Sequence, residues 1–336
     1  MRWISCLICV LIFAGCGNNL KGPDVSGIPV NLKLSRFEKD LFSLDTNKTV
    51  TELDPLIAKY KGFGENFMVA ILNADPRWGN DTVASYVNSF LGSHRSVYDT
   101  AMAVFKDFTP YEEEIKKGLQ HVKYYFPSYT LPKQIITYIG PLDGYGDILS
   151  EDALIVGLQH HLGAGFSLYR SDWVALTYPE YLTRRFTPST ISVNAMANIV
   201  YDIYPEKEED KSLILQMIQR GKRLYILSKL LPGKEEYELI GYTKKQMEDC
   251  YAHETQIWNL FIQNNLLRTI DNNIIKNYVG ESPKTQELGE ASPGNIGSFA
   301  GWQIVKKYMS ANSSMGMDEL IKKDEEEIFQ ASKYKP

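Results

Sequence analysis

Residues 133–161 read KQIITYIGPLDGYGDILSEDALIVGLQHH. Lys133 to Ile139 is rich in β-branched and aromatic residues. Ala153 to His161 is a second apolar run, bounded by Gly163 and Gly165. Between them Gly140 to Gly146 is turn-rich, and Asp143-Gly144 is a dipeptide that strongly favours a tight hairpin turn. The stretch predicts two strands joined as a β-hairpin, the clearest sheet element in the chain. Upstream, Val30 to Leu34 alternates apolar and polar residues, as a short half-buried strand does.

Around this centre the pattern is helical. Arg36 to Leu44, Thr51 to Tyr60, Val83 to Phe90 and Tyr111 to Tyr125 read as helices, the last ended by Pro127, with a weaker pattern over Ser93 to Phe108. Lys211 to Leu231 carries Ile214, Met217, Ile218 and Tyr225 on one stripe and stops at Leu231-Pro232-Gly233. Thr243 and Gln246 spell a capping box. The helix they open bears Met247, Tyr251, Trp258, Phe261 and Ile262 at alternating four- and three-residue spacing. Ser292-Pro293 suits the N-cap and first position of a last major helix, on which Gly297 and Gly301 share a face and admit another backbone. No Pro-, Gly- or Ser-rich linker divides the mature chain. The fold class expected is α+β, predominantly helical: a single large domain over 30–336 with a small sheet that includes a β-hairpin near 133–161.

Composition narrows the function. The 336 residues are 44% hydrophobic, enough for a packed core, and 23% charged, with a formal net charge of -5. That balance speaks against broad nucleic-acid binding, which needs a basic face.

The first residues set the compartment. Met1-Arg2 is a short basic start, Ile4 to Ala14 is almost wholly apolar, and Ala14-Gly15 precedes Cys16. The run is too short to span a bilayer and reads as a signal-peptide core over 1–15. Small residues directly before a cysteine resemble the bacterial lipoprotein signal, although Phe13 stands where leucine is usual. Cys16 is then the lipid-attachment site, bearing palmitate-type acyl chains, several of which make anchoring durable. Cys6 and Cys9 leave with the signal, so Cys250 alone remains as a thiol and an intramolecular disulfide is excluded. Residues 16–29 read as a flexible tether reaching on the order of 20 Å.

Candidate chemistry is sparse. His253-Glu254 begins an HExxH zinc motif, but Ile257 stands where the second histidine belongs. His160-His161 ends a predicted strand, where neighbours point to opposite faces; one packed and one solvated imidazole is expected. Asp143 and Asp147 flank a Gly-rich turn without the ligand count of a calcium loop. No catalytic residue, metal or cofactor is expected. Glu254 falls in register with Met247, Tyr251, Trp258 and Phe261, which predicts a buried carboxylate paired with Lys222, Arg223, Arg184 or Arg185.

Several segments together resemble the gliding-motility lipoprotein GldB family. They are Arg36-Phe37-Glu38, Ile155 to Gly163, Met217 to Tyr225, Gly241-Tyr242-Thr243, Ile257-Trp258, Ser292 to Gly297, Gly301 to Val305 and Lys333 to Pro336. The resemblance keeps segment order over nearly the whole mature chain. It implies a lipid-anchored envelope protein, in the outer membrane facing the periplasm, whose partners are other motility and secretion proteins, and it implies no catalytic residue. A weaker resemblance is to predicted zinc proteases of the zincin type, whose HExxH helix would fall near Val193 to Tyr201. Asn194 and Asn198 occupy the two histidine places and Ala195 the place of the general-base glutamate. Neutral amides are poor zinc ligands and alanine moves no proton. The function expected is a non-enzymatic accessory of an envelope machine. The alternatives are a periplasmic hydrolase or peptidase of degenerate zincin-like fold, and a ligand-binding envelope lipoprotein.

Overall fold

The computed structural model describes residues 22–207 and 210–336. Cys16, expected to bear the lipid, and the segment read as a signal peptide lie outside the described residues. Four strands form one mixed sheet in the order β1-β2-β4-β3: β1 (Lys33–Arg36), β2 (Gln134–Tyr138), β3 (Ile148–Leu149) and β4 (Ala153–Gly157). β1, β2 and β4 are parallel, with Gln134 opposite Ala153, and the edge strand β3 runs antiparallel to β4. All five residues of β4 and four of β2 are buried. An apolar run such as ALIVG is what a strand covered on both faces requires, and β2 buries its one threonine by donating the Thr137 hydroxyl to Glu38 at 2.6 Å.

The expected pairing of 133–139 with 153–161 as a hairpin is therefore corrected. Asp143-Gly144 does make a turn, closed by Gly144 N–H on the Pro141 carbonyl at 3.0 Å. That turn leads the chain outward to Asp147 instead of back along β2. The reversal comes later, where Ser150 N–H bonds the Ala153 carbonyl at 2.9 Å and β3 folds onto β4. The hairpin lies within 133–161 but is built from the two-residue β3.

Eleven helices of eight residues or more surround the sheet among the described residues. They are α1 (Thr49–Lys59), α2 (Asn80–Ser93), α3 (Arg95–Val104), α4 (Thr109–Tyr125), α5 (Ile191–Ile203), α6 (Leu213–Leu230), α7 (Lys244–Ala252), α8 (Glu254–Gln263), α9 (Asn272–Val279), α10 (Ile296–Ala311) and α11 (Glu325–Ser332). The first four fill the long crossover from β1 to β2. At its root Phe37 meets Tyr60, Phe63 and Phe67 with ring centroids 4.7–5.0 Å apart, all edge-on, the arrangement that ring quadrupoles favour.

α6 and α10 cross backbone to backbone. A Cβ on Gly301 would stand 1.8 Å from the Met217 carbonyl oxygen, and one on Gly221 would stand 2.3 Å from the Gly301 carbonyl group. The pair of glycines Gly297 and Gly301 does face another backbone. The helix itself starts later than Ser292-Pro293: its N-cap is Asn295, in the left-handed region at φ 55°. Ser292 instead closes the preceding loop, its hydroxyl accepting the Thr285 N–H and donating to the Gly289 or the Thr285 carbonyl.

The segment read as a tether differs too. From Gly22 onward it lies on the body, with Val25 buried. Gln120 Nε2 donates to the Ile28 carbonyl at 2.9 Å.

Candidate functional site

The polar centre of the fold forms where α5 crosses the β3 edge. Asp147, directly before β3, is the hub. Its Oδ1 accepts the Gly157 N–H at 3.0 Å, and its Oδ2 accepts from Asn194 Nδ2 at 2.8 Å. His161 Nε2 donates to the same carboxylate at 2.9 Å. One turn along α5, Asn198 Nδ2 reaches the Asp147 backbone carbonyl at 3.2 Å. The i,i+4 pair at Asn194 and Asn198 thus converges as a metal-binding pair would, but on one aspartate.

The charges on Asp147 and His161 support each other. Their side chains are 6% and 0% exposed. Burial alone raises an aspartate, yet attraction to His161 and the bonds from His161, Asn194 and Gly157 outweigh it and hold Asp147 below the ordinary carboxylate range. Burial likewise opposes charge on His161, and the facing Asp147 overcomes it and raises the imidazole. The geometry agrees. His161 Nδ1 faces the Thr187 carbonyl at 3.1 Å and Thr190 Oγ1 at 3.2 Å, so both ring nitrogens donate, as only an imidazolium can.

Thr190, His161 and Asp147 line up as a hydroxyl, an imidazole and a carboxylate. The order resembles a hydrolytic triad, but the protons are committed. The Thr190 hydroxyl donates to backbone carbonyls, Thr187 at 2.7 Å or Arg185 at 3.0 Å, and the ring that would take its proton already carries one. As it stands the arrangement is a clamp between β3, the turn after β4 and α5, with no base poised for attack.

Beside the clamp lies a cleft of about 220 Å³ between α5, α6 and the start of α10, lined in part by Asn194, Tyr201, Arg185, Arg220, Arg223 and Glu281. Its guanidinium groups are matched by carboxylates. Arg185 holds Glu281 through two bonds of 3.1 and 2.9 Å, while Glu206 lies 3.1 Å from Arg223 and 3.6 Å from Arg220.

The two adjacent histidines separate as expected, but neither is solvated. His160 ends the 3-10 turn that follows β4, and His161 caps it. His160 stacks on Phe186 with centroids 4.4 Å apart and donates from Nε2 to the Leu142 carbonyl. Burial pushes it down to about 4, so it is neutral where its neighbour is charged.

Glu254 is the clearest correction. It is half-buried, and its partner is the Tyr334 hydroxyl at 2.5 Å, with none of the four expected cations. The helix opened by the Thr243–Gln246 capping box, which is present, stops at Ala252. His253 breaks it at φ -118°, ψ 21°, and Glu254 begins α8 in a new register. Tyr251 is exposed as well: within its own helix Met247 and Cys250 face inward. Lys222 serves another acid: fully buried on α6, its amine donates to Glu325 Oε1 at 2.8 Å, to Tyr204 Oη at 3.3 Å and to the Lys323 carbonyl. Glu325, first residue of α11, also holds Lys211 at 2.7 Å. Sequence reasoning missed this cluster and the Asp147–His161 pair, because partners 103 and 14 residues apart leave no local period.

Among the described residues no group of three or more histidine, cysteine, aspartate or glutamate side chains is arranged to hold a metal ion. None of their helices is long and apolar enough to cross a membrane. Cys250 is buried, and burial pushes its thiol up to about 12, far from a reactive thiolate.

The architecture sets the chain among predominantly helical α+β domains built on a small mixed sheet. Within that class, the family model described as gliding motility protein GldB matches residues 18–336, nearly the whole sequence, and the chain belongs to that family. The family makes it a motility component of the cell envelope. No curated protein and no solved structure matches the chain.

Proposed function

We propose that the protein is a lipid-anchored, non-enzymatic component of an envelope motility and secretion machine, attached through Cys16 to the outer membrane and facing the periplasm. The family match over residues 18–336 carries this reading. The Ala14-Gly15-Cys16 signal supports the anchor. The closed Asp147–His161–Asn194 network supports a scaffold role, since its donors are spent on one another. The competing reading is a hydrolase that uses Thr190, favoured by the 3.2 Å contact between Thr190 Oγ1 and His161 Nδ1.

Complementation of a deletion strain separates them. The wild-type chain should restore surface spreading. Cys16→Ser should fail and leave the membrane fraction. Thr190→Val should restore spreading, at a stability cost of about 1 kcal/mol for one lost hydrogen bond. Membrane retention of a processed Cys16→Ser chain would overturn the anchor. A Thr190→Val protein that accumulates normally yet restores nothing would overturn the non-enzymatic role.

A further inference from the structure

The described chain begins by lying on the body. A Cβ on Gly22 would stand 3.0 Å from Pro232 Cγ and 3.3 Å from His121 Nε2. Gly22 is also part of the wall of a broad groove of about 1,120 Å³. Tyr124 and Tyr125 from the end of α4, Tyr225 and Lys229 from the end of α6, and Met315 line it as well. Tyr124 is 51% exposed, and the Lys229 amine stands 4.9 Å above the Tyr225 ring.

Two constraints meet at this groove. Cys16 and Gly22 are six peptide units apart, which reach at most about 20 Å even when fully extended. A lipid on Cys16 therefore keeps whichever face bears Gly22 within that distance of the headgroups. The side chains there suit such a boundary. Phenol rings favour the level of the headgroups, lysines keep their amines in the wet layer while their stems lie on apolar surface, and methionine adapts to irregular apolar contacts.

We propose that this groove face is the surface the protein lays on a phospholipid bilayer, with Tyr124 and Lys229 entering the headgroup layer. The inference rests on acylation of Cys16. The rival face is the one bearing Trp173 and Leu176, the latter 87% exposed; it is more apolar, but nothing ties it to the anchor.

Single cysteines placed by Tyr124→Cys, Lys229→Cys and Leu176→Cys in the full lipid-bearing chain test this. Cys250, 2% exposed, does not compete for label. Each protein is labelled with a fluorophore and reconstituted in vesicles of phosphatidylethanolamine and phosphatidylglycerol that contain headgroup-level nitroxide lipid. Probes at 124 and 229 should be quenched about twofold or more and the probe at 176 little, because contact with the interface is confined to a layer of about 5–10 Å. Quenching at 176 with 124 and 229 untouched would overturn the proposal. So would an absence of quenching at all three. Mass analysis of the N-terminal peptide in the same sample separates the two failures: an unacylated chain removes the anchor and this inference with it, while an acylated chain with an unquenched groove removes the orientation alone.

Discussion

Lys222→Met should destabilise the fold by about 3 kcal/mol, the low end of what breaking a buried pair costs. The methionine keeps the apolar stem and deletes the amine. Three bonds disappear with it, to Glu325, Tyr204 and the Lys323 carbonyl. The carbonyl is left bare, and an unsatisfied buried group alone costs roughly 1–3 kcal/mol. Glu325 supplies a second measure. Burial opposes its ionisation, yet Lys211, Lys222 and Tyr204 pull it from its ordinary 4.5 to about 2. That pull is worth about 3 kcal/mol shared among three donors. Lys211 and Tyr204 survive the substitution, so the charge is weakened and not abandoned. With an unfolding entropy of about 2 cal/mol/K per residue over roughly 300 residues, a loss of this size lowers Tm by about 5 °C. Urea unfolding followed by tryptophan fluorescence measures it directly. The double variant Lys222→Met, Glu325→Met should recover part of the loss, because no charge is then stranded and Lys211, a quarter exposed, turns to water. An unchanged urea midpoint for Lys222→Met, or a double variant worse than the sum of the singles, would refute this account.

The Asp147–His161 pair predicts a pH profile. His161 is raised above its ordinary 6.5, so its contribution is complete below 6.5 and fades as pH climbs through the folded value. Asp147 is lowered from 3.8, so its contribution is complete above 3.8 and is lost only as pH falls through the folded value. The pair's stabilisation should peak between those limits, and Asp147→Asn should flatten the alkaline decline; equal slopes in urea midpoint from pH 6 to 9 for both proteins would contradict it. Gly301→Ala should cost about 3 kcal/mol or more, since α6 and α10 must part to admit a methyl group; a thermal scan matching wild type would show that the helices yield freely. Glu254→Ala should cost under about 1 kcal/mol, a half-buried bond to one tyrosine being at stake; a loss of several kcal/mol would restore the carboxylate to the core.

What the sequence made legible follows its local periods. Helix stripes on Lys211 to Leu231, the Thr243–Gln246 box and the Gly297/Gly301 face depend on residues three to seven apart, and all three are present. Strand direction is different. The runs at 133–139 and 153–157 are apolar without alternation, which marks burial and says nothing of parallel or antiparallel pairing. The Asp143-Gly144 turn was real, but a turn fixes a bend and not where the chain goes afterwards. Glu254 was misplaced because no Gly or Pro announces the break at His253, which sets it in the first turn of a new helix beside Tyr334. The clamp escaped because Asp147, His161 and Asn194 sit in three elements with no spacing in common. Lys222 lay in a charged stretch, Arg220 to Arg223, that resembles a solvated face until α11 covers it.

The sheet at the centre of this protein ends in two very short margins. β1 presents four residues, the first an exposed lysine, and β3 presents two. A foreign strand that tried to extend the sheet would find only a few free N–H and C=O groups before the pleat gave out, and on one side a charged residue in the way. For a motility component of the cell envelope, that brevity bears on assembly. A neighbour could pack helices against this domain, but it would gain little by pairing its backbone with so short an edge.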